Sequence, residues 1–319
     1  MLTYILFVIG FVVLIKGADL LVDGAASVAK KMKVSSIVIG LTIVAFGTSA
    51  PEFIVNIFAS FQGNTEIAIG NILGSNIANI LLILGISAII FPLVSKKNTV
   101  WKEIPLALLA ALLLGVMAND IRIDNGIYSG LTRIDGMVLL SFFIIFMYYT
   151  FGISKVTGDG ADDGNIKKMS YPMATLYIIG GLVLLIFGGK WIVDGAVKIA
   201  EAFNVSESLI GLTVVAVGTS LPELATSAIA ARKKQTDIAI GNIVGSNIFN
   251  IFWILGVSAL IRPLPFSPTN NVDIIMTVVA SVILFMIMFI GKRHTIERWQ
   301  GVLMIMIYVG YVVFLVMTK

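Results

Sequence analysis

Long apolar stretches alternate with short polar segments along the whole chain. An α-helix needs about 20 apolar residues to cross the hydrocarbon core of a bilayer. Because the apolar positions continue without the period-2 alternation of a strand, they predict helices and not a membrane barrel. The ten predicted spans are 2–28, 34–60, 66–92, 102–119, 134–152, 171–198, 206–231, 237–261, 272–291 and 299–318.

Polar residues inside these stretches recur at a constant spacing. Glu52 and Glu223 are 171 positions apart, and so are the motifs GADLLVDGA and GGKWIVDGA and the motifs GNILGSNIAN and GNIVGSNIFN. One offset shared by several motifs indicates an internal duplication. Each half has five predicted spans, an odd number, so the second half enters the membrane from the opposite side. The sequence predicts an all-α membrane protein of ten transmembrane helices in two inverted five-helix repeats, 1–152 and 171–319.

Composition agrees with a protein embedded in a lipid bilayer. Hydrophobic residues make up 58% of the 319 positions and charged residues 13%, whereas soluble domains carry about 25% charged residues. The absence of cysteine excludes disulfides and thiolate metal sites. The basic residues that produce the net charge of +4 are scattered through short loops, which favours a topology signal over a nucleic-acid-binding surface.

The distribution of basic residues predicts the orientation in the membrane. Of the 22 lysines and arginines, 15 lie in the odd-numbered loops. Loops rich in lysine and arginine stay in the cytoplasm. We therefore expect a multi-pass protein of the cell membrane with both termini outside.

The longest loop, KVTGDGADDGNIKK, joins the two halves at 153–170. Its clustered aspartates suggest a calcium-binding loop, but their spacing does not match an EF-hand. A flexible cytoplasmic linker is the interpretation that we favour.

Two of the spans carry a helix-breaking motif, GTSAPEF at 47–53 and GTSLPEL at 218–224. Pro51 has no backbone N–H, so the carbonyl of Gly47 loses its helical partner. In the second copy, Pro222 likewise leaves the carbonyl of Gly218 without its helical partner. Carbonyls freed in this way need protein, water or an ion as partner. The motif predicts a break at 45–51 and an equivalent break in the seventh helix; a plain proline kink is the alternative.

Glu52 and Glu223 follow these breaks and are costly in mid-membrane, at about 2.5–3.5 kcal/mol each. A symmetric pair of such acids, next to hydroxyls and an interrupted backbone, indicates a cation site. A second set of polar residues recurs every four positions and so shares one helix face: Asn71, Ser75 and Asn79, repeated as Asn242, Ser246 and Asn250. We predict that Ser75, Asn79, Ser246 and Asn250 face the ion. Asn71 and Asn242, and the neighbouring Asn76 and Asn247, are predicted to serve in packing.

The available ligands are carboxylate, amide, hydroxyl and carbonyl oxygens. Calcium takes 6–8 oxygen ligands, and sodium accepts the same ligand types. Two ionised glutamates are neutralised by one calcium or by two sodium ions. Competition of the two cations for one pair of carboxylates follows from this chemistry.

These motifs resemble the α-repeats of the sodium/calcium exchanger family. The family patterns G-T-S-x-P-E/D and G-N-x-x-G-S-N match 47–52, 70–76, 218–223 and 241–247, and the similarity extends over essentially the whole chain. The resemblance implies a secondary antiporter, not an enzyme, which exchanges Na⁺ for Ca²⁺ without a cofactor. It also implies an electrogenic ratio of three Na⁺ per Ca²⁺ and, for this chain, a monomer.

The resemblance further implies which residues hold which ion. A central calcium site would use Glu52, Glu223 and the carbonyls of Thr48 and Thr219, completed by Asn79 and Asn250. Sodium sites on either side would use one set each: Ser49, Ser75 and the carbonyl of Ala45, and Ser220, Ser246 and the carbonyl of Ala216.

Asparagine at position 250, where potassium-dependent relatives have an acid, argues against potassium coupling. The resemblance implies that the first and sixth helices move against the rest. We interpret Asp23 and Asp194 as helix-end and packing acids and not as ligands. An H⁺/Ca²⁺ antiporter is the alternative function, and a passive cation channel is a third, which inverted repeats disfavour.

Overall fold

The computed structural model describes residues 2–63, 66–124, 128–156, 167, 169–202 and 216–318. Most of the predicted linker and of the loop DGADDG, together with the first part of the predicted seventh span, lies outside the described residues. The described chain is predominantly helical. Its α-helices are α1 (Leu2–Met32), α2 (Ser36–Ile39), α3 (Ala45–Thr48), α4 (Ala50–Gln62), α5 (Glu66–Ile77), α6 (Leu84–Ile90), α7 (Ile104–Met117), α8 (Asp120–Asp124), α9 (Arg133–Val156), α10 (Tyr171–Ala202), α11 (Ala216–Thr219), α12 (Leu221–Arg232), α13 (Thr236–Ile248), α14 (Gly256–Ile261), α15 (Asn271–Ile287) and α16 (Arg298–Thr318).

Wider π-helical turns join several of these helices end to end. They cover Gly40–Val44, Ala78–Ile83, Thr99–Glu103 and Phe249–Leu255, and a short 3-10 turn covers Pro268–Asn270. A π-turn holds one more residue than an α-turn and often marks a functional position. The sequence motifs did not predict these turns.

Eight helices in the described part of the chain are long and apolar enough to cross a membrane, and a bent pair of helices makes up to nine. The eight agree with predicted spans, and the bent pair, Ser36–Thr48 with Ala50–Gln62, coincides with the predicted span 34–60. The predicted span 206–231 is described only from Ala216 onward. The structure therefore confirms a helical membrane fold, and the count of ten helices stays a prediction.

Burial separates central helices from peripheral ones. In an 18-residue window of the spans Ala68–Ile90 and Thr236–Ile261, 78% and 83% of the residues are buried inside the protein, whereas the corresponding shares in Arg133–Gly152 and Arg298–Thr318 are 22% and 11%. Large apolar side chains such as Ile134 and Tyr148 project outward from the peripheral helices. The GNxxGSN motifs therefore lie on the two helices that the rest of the protein surrounds.

The two longest helices, α1 and α10, pack closely through glycines. A methyl group added at Gly17 would lie 2.9 Å from the Gly181 carbonyl oxygen, and one at Gly10 would lie 3.0 Å from that of Gly188. Small residues allow helix backbones to approach in this way inside a membrane. Because Gly10 meets Gly188 while Gly17 meets Gly181, the two helices run antiparallel.

Two short antiparallel ladders tie loops together at the ends of the helices. Strand β1 (Leu93–Val94) pairs with β4 (Thr295–Ile296), and β2 (Gly130–Leu131) pairs with β3 (Leu264–Pro265). Each ladder connects a loop of the first half of the chain to one of the second half. The halves are therefore bound to each other at their edges as well as at their centre.

Candidate cation-binding site

The helix that contains GTSAPEF breaks where the sequence predicted. α3 ends at Thr48, Ser49 departs from helical geometry at φ −80° and ψ 8°, and α4 begins at Ala50 with Pro51 in its first turn. The two parts meet at an angle of 47°. The predicted break at 45–51 is confirmed.

The second copy of the motif has the same geometry. Ser220, with φ −86° and ψ 6°, separates α11 from α12, and Pro222 lies in the first turn of α12. Proline suits this position because the first N–H groups of a helix have no helical partner. Each motif therefore ends one helix at a serine and starts the next.

Each break places a glutamate in the first turn of the new helix. Glu52 is 0% exposed and Glu223 is 1% exposed, and the two carboxylates are close enough to interact electrostatically. The positive end of a helix dipole favours negative charge in its first turn. The helix starts thus stabilise two carboxylates that burial alone would disfavour.

Serines from both halves of the chain bind each carboxylate through its Oε1 atom. Ser49 donates to Glu223 at 3.0 Å, and Ser220 donates to Glu52 at 3.3 Å. The serine at each helix break therefore donates a hydrogen bond to the glutamate at the other break. From the same half, the Ser75 hydroxyl lies 3.5 Å from Glu52.

The Ser246 hydroxyl completes this pattern at 3.4 Å from Glu223. The Ser75 hydroxyl, in addition to its contact with Glu52, lies 3.4 Å from the Asn71 amide oxygen. The structure thus brings together six predicted ligands: the two glutamates and the serines at 49, 75, 220 and 246.

Four buried oxygen atoms at this centre lack a hydrogen-bond donor within the described residues. They are Oε2 of Glu52, Oε2 of Glu223, Oδ1 of Asn79 and Oδ1 of Asn250. A buried acceptor without a partner costs about 1–3 kcal/mol, and more when it is charged. A cation is the partner that satisfies several acceptors at once, and carboxylate and amide oxygens are suitable ligands for Ca²⁺ or Na⁺.

The orientation of Asn79 and Asn250 is set by two further asparagines. Asn79 Nδ2 donates to Asn247 Oδ1 at 3.0 Å, and Asn250 Nδ2 donates to Asn76 Oδ1 at 2.9 Å. With each amide nitrogen used in this way, the amide oxygen is left for another partner. The packing role predicted for Asn76 and Asn247 is correct, but the sequence did not indicate that they orient the predicted ligands.

Asn79 and Asn250 each occupy the second position of a π-helical turn, in Ala78–Ile83 and Phe249–Leu255. The extra residue of such a turn changes which side chains share a face with the preceding helix. The i, i+4 spacing of Asn71, Ser75 and Asn79 is therefore only an approximate guide to where Asn79 lies.

Three of the remaining predicted ligand residues contact residues of this centre. The side chain of Thr219 interacts with the Glu52 carboxylate, and that of Thr48 interacts with Glu223. The Ala45 carbonyl oxygen accepts the Ser49 amide at 3.0 Å, and the Thr48 hydroxyl also lies 3.4 Å from it. Ala216 is the first residue of α11.

A buried network supports the Glu223 side of the centre. Asn242 accepts the Thr48 hydroxyl at 2.9 Å, and its Nδ2 lies 3.0 Å from Ser227 Oγ. On the other side, Asn56 Nδ2 donates to the Glu52 carbonyl at 2.8 Å. The predicted packing role of Asn242 thus includes holding Thr48, a predicted ligand, in place.

A helical membrane fold with paired, buried carboxylates between two broken helices defines a membrane cation transporter. The family model of the sodium/calcium exchanger protein matches residues 2–152 and 173–317. The chain belongs to the sodium/calcium exchanger family. The protein is therefore a membrane cation exchanger and not an enzyme, and the ions that it binds are transported substrates and not cofactors.

Individual relatives are similar over nearly the full length. The putative antiporter CaxA of Alkalimonas amylolytica is 38% identical over 95% of both chains, and the sodium/calcium exchanger MaX1 of Methanosarcina acetivorans is 33% identical over 98% of both. A structure of the sodium-calcium exchanger NCX_Mj soaked with Na⁺ and Ca²⁺ superimposes with a TM-score of 0.83 at 37% identity, over 98% of both chains.

Proposed function

We propose that this protein exchanges Na⁺ for Ca²⁺ by alternating access, with three Na⁺ for each Ca²⁺. The observation that carries the proposal is the group of four buried oxygens of Glu52, Glu223, Asn79 and Asn250 that lack a donor in the described structure. Hydrogen bonds orient all four side chains. A preorganised set of acceptors of this kind fits a dehydrated cation.

Calcium would occupy the centre of this group. The four oxygens supply part of the 6–8 ligands that Ca²⁺ takes, and the carbonyls of Thr48 and Thr219 at the helix breaks would add two. Two ionised glutamates would neutralise the ion. A loaded centre without net charge costs least to carry across a low-dielectric region.

Sodium would bind on either side of the centre, where serines approach the carboxylates. One site would use Ser49, Ser75 and the Ala45 carbonyl; the other would use Ser220, Ser246 and the Ala216 carbonyl. Because these sites share carboxylates with the calcium site, the two cations would exclude each other. Mutual exclusion is what converts binding into exchange.

A ratio of three to one would move one net charge per cycle. The membrane potential contributes about 2.3 kcal/mol per charge per 100 mV. A cell interior that is negative would therefore favour sodium entry and calcium extrusion.

Alternating access would follow from two five-helix repeats of opposite orientation, at 1–152 and 171–319, joined by a linker at 153–170. Contacts between glycines repeat under the 171-residue offset, which supports this arrangement: shifting the contact of Gly10 with Gly188 by 171 positions gives the contact of Gly181 with Gly17. The helices α1 and α10 would move as a pair. In this arrangement the protein would act as a monomer in the cell membrane with both termini outside.

Calcium flux into sodium-loaded proteoliposomes with clamped potential tests the proposal. We expect uptake that requires an outward sodium gradient and that rises when the interior is positive. Uptake that follows a pH gradient and ignores sodium would refute sodium coupling and favour an H⁺/Ca²⁺ antiporter. Calcium that enters only down its own concentration gradient and never accumulates against it would identify a channel.

A further inference from the structure

Lys233 joins the second broken helix to the first helix of the chain. It is the residue that follows α12, and its Nζ lies 2.7 Å from Asp19 Oδ1 and 2.5 Å from Asp23 Oδ1 on α1. The same Nζ donates to the Asp19 carbonyl at 3.1 Å. One ammonium group therefore makes three contacts with a single neighbouring helix.

This bridge is partly buried and electrically balanced. The side chains of Lys233 and Asp23 are 26% and 11% exposed, so solvent screens their attraction less than that of an exposed pair. The second oxygen of Asp23 accepts Lys167 at 2.8 Å, and this hydrogen bond is the main cause of the raised pKa of the exposed Lys167 ammonium. Two lysines thus compensate two aspartates.

The bridge is mechanically connected to the candidate cation site. Glu223 lies in the first turn of α12 and Lys233 directly follows its last residue, so about 15 Å of continuous helix separates them at 1.5 Å per residue. The other end of the bridge is on α1, which is packed through glycines against α10. Lys233 therefore connects the α1–α10 pair to the helix that holds a carboxylate.

The duplicated half of the chain lacks this bridge within the described residues. The offset of 171 places Gln62 opposite Lys233, Lys190 opposite Asp19 and Asp194 opposite Asp23. The equivalence is supported by the backbone, because Gly63 and Lys234, the next residues, both end their helices at positive φ, 86° and 60°. Asp194 pairs with Lys190 on its own helix at 3.3 Å, and both are at least half exposed.

We propose that Lys233, with Asp19 and Asp23, is a latch that holds the cytoplasmic side closed and biases the resting transporter toward its outward-open state. Lys233 is a positioning residue, since it does not touch the ions. The proposal rests on alternating access by movement of α1 and α10 and on the proposed orientation, in which Lys233 lies in an odd-numbered loop that faces the cytoplasm. Breaking the latch shifts the ratio of inward-open to outward-open protein by about 5- to 30-fold, the ratio that corresponds to one or two kcal/mol.

Spin labels on the cysteine-free chain measure this ratio directly. One pair of labels, at Met32→Cys and Lys97→Cys, reports the cytoplasmic end of the protein, and a second pair, at Leu2→Cys and Phe61→Cys, reports the outer end. All four positions are exposed and therefore accessible to the label. We expect Lys233→Gln to lengthen the first distance and shorten the second, and Lys233→Arg to retain the native distributions. Arg232→Gln removes the same charge one residue away and should leave both distances unchanged.

Transport provides the second readout. Lys233→Gln should raise the apparent calcium affinity at the cytoplasmic face by about 5- to 30-fold relative to that at the outer face, and Asp19→Asn should act in the same direction. Distances that are unchanged in Lys233→Gln, or that change equally in Arg232→Gln, would overturn the latch. Loss of sodium coupling with the distance shift intact would count against the proposed function alone, and wild-type distances that never respond to Na⁺ or Ca²⁺ would count against both.

Discussion

Asn76 and Asn247 bind each other reciprocally at the centre of the protein. The Nδ2 of Asn76 donates to the Asn247 carbonyl at 3.3 Å, and the Nδ2 of Asn247 donates to the Asn76 carbonyl at 3.2 Å. Their side-chain oxygens accept the amides of Asn250 and Asn79. One pair of residues therefore fixes the two central helices to each other and orients two candidate ligands.

Replacing either residue of this pair should impair calcium binding without removing a ligand. In Asn247→Ala the Asn79 amide loses its acceptor, so Asn79 can rotate and its oxygen no longer points reliably at the ion. A lost buried hydrogen bond of about 1–1.5 kcal/mol predicts an apparent calcium affinity lowered about tenfold. Initial uptake rates over a range of calcium concentrations measure it, and an unchanged affinity in both Asn76→Ala and Asn247→Ala would contradict the orienting role.

Neutralising either central carboxylate should abolish calcium transport. Glu52→Gln and Glu223→Gln keep the shape of the side chain but remove the charge that would compensate Ca²⁺ in a buried site. The matched control is Glu103→Gln, another buried glutamate, whose Oε1 accepts the Tyr149 hydroxyl at 2.5 Å. We expect uptake in the control and none in the other two, with all three recovered as folded protein in detergent; uptake in both Glu52→Gln and Glu223→Gln would rule out a paired-carboxylate site.

The serines at the helix breaks should determine the response to sodium more than the response to calcium. Ser49→Ala and Ser220→Ala each remove a hydroxyl that contacts the carboxylate of the other half. We expect the sodium concentration for half-maximal exchange to rise about 3- to 10-fold, equivalent to a lost interaction of about 1 kcal/mol. Ser87→Ala, a change at a fully buried serine on α6, is the control and should match the wild type.

Close packing of α1 on α10 predicts a steric effect at one glycine and none at its neighbour. In Gly181→Val the new Cβ would lie 2.8 Å from the Gly17 carbonyl oxygen, whereas a Cβ at Gly180 meets no atom within 4 Å. Overpacking typically costs about 1–3 kcal/mol. Thermal unfolding in detergent should show a lower midpoint for Gly181→Val than for Gly180→Val; equal midpoints would show that the helices can separate without cost.

The sequence was informative wherever chemistry restricts the backbone. Proline and glycine in GTSAPEF predicted the break at Ser49, and the constant offset predicted that Glu223 would match Glu52. The contacts between the halves were harder to predict from the sequence, because a hydrogen bond such as that of Asn76 with Asn247 joins residues 171 positions apart and leaves no local sequence pattern. The π-helical turns were missed for a related reason: one additional residue per turn arises from tertiary packing and not from a residue preference.

The exchange of serine donors between the two carboxylates has a consequence for the origin of the gene. Glu52 accepts the Ser220 hydroxyl, and Glu223 accepts the Ser49 hydroxyl, so each half of the chain supplies one donor to the glutamate of the other half. In the inverted arrangement that we propose for the two halves, an ancestral product containing one half would have obtained this hydroxyl from a second copy inserted in the opposite orientation in the same membrane. Fusion of two such copies into one polypeptide would have made that association permanent. It would also have allowed Lys233 and Gln62 to diverge, so that a bridge could form at one face of the membrane without its counterpart at the other.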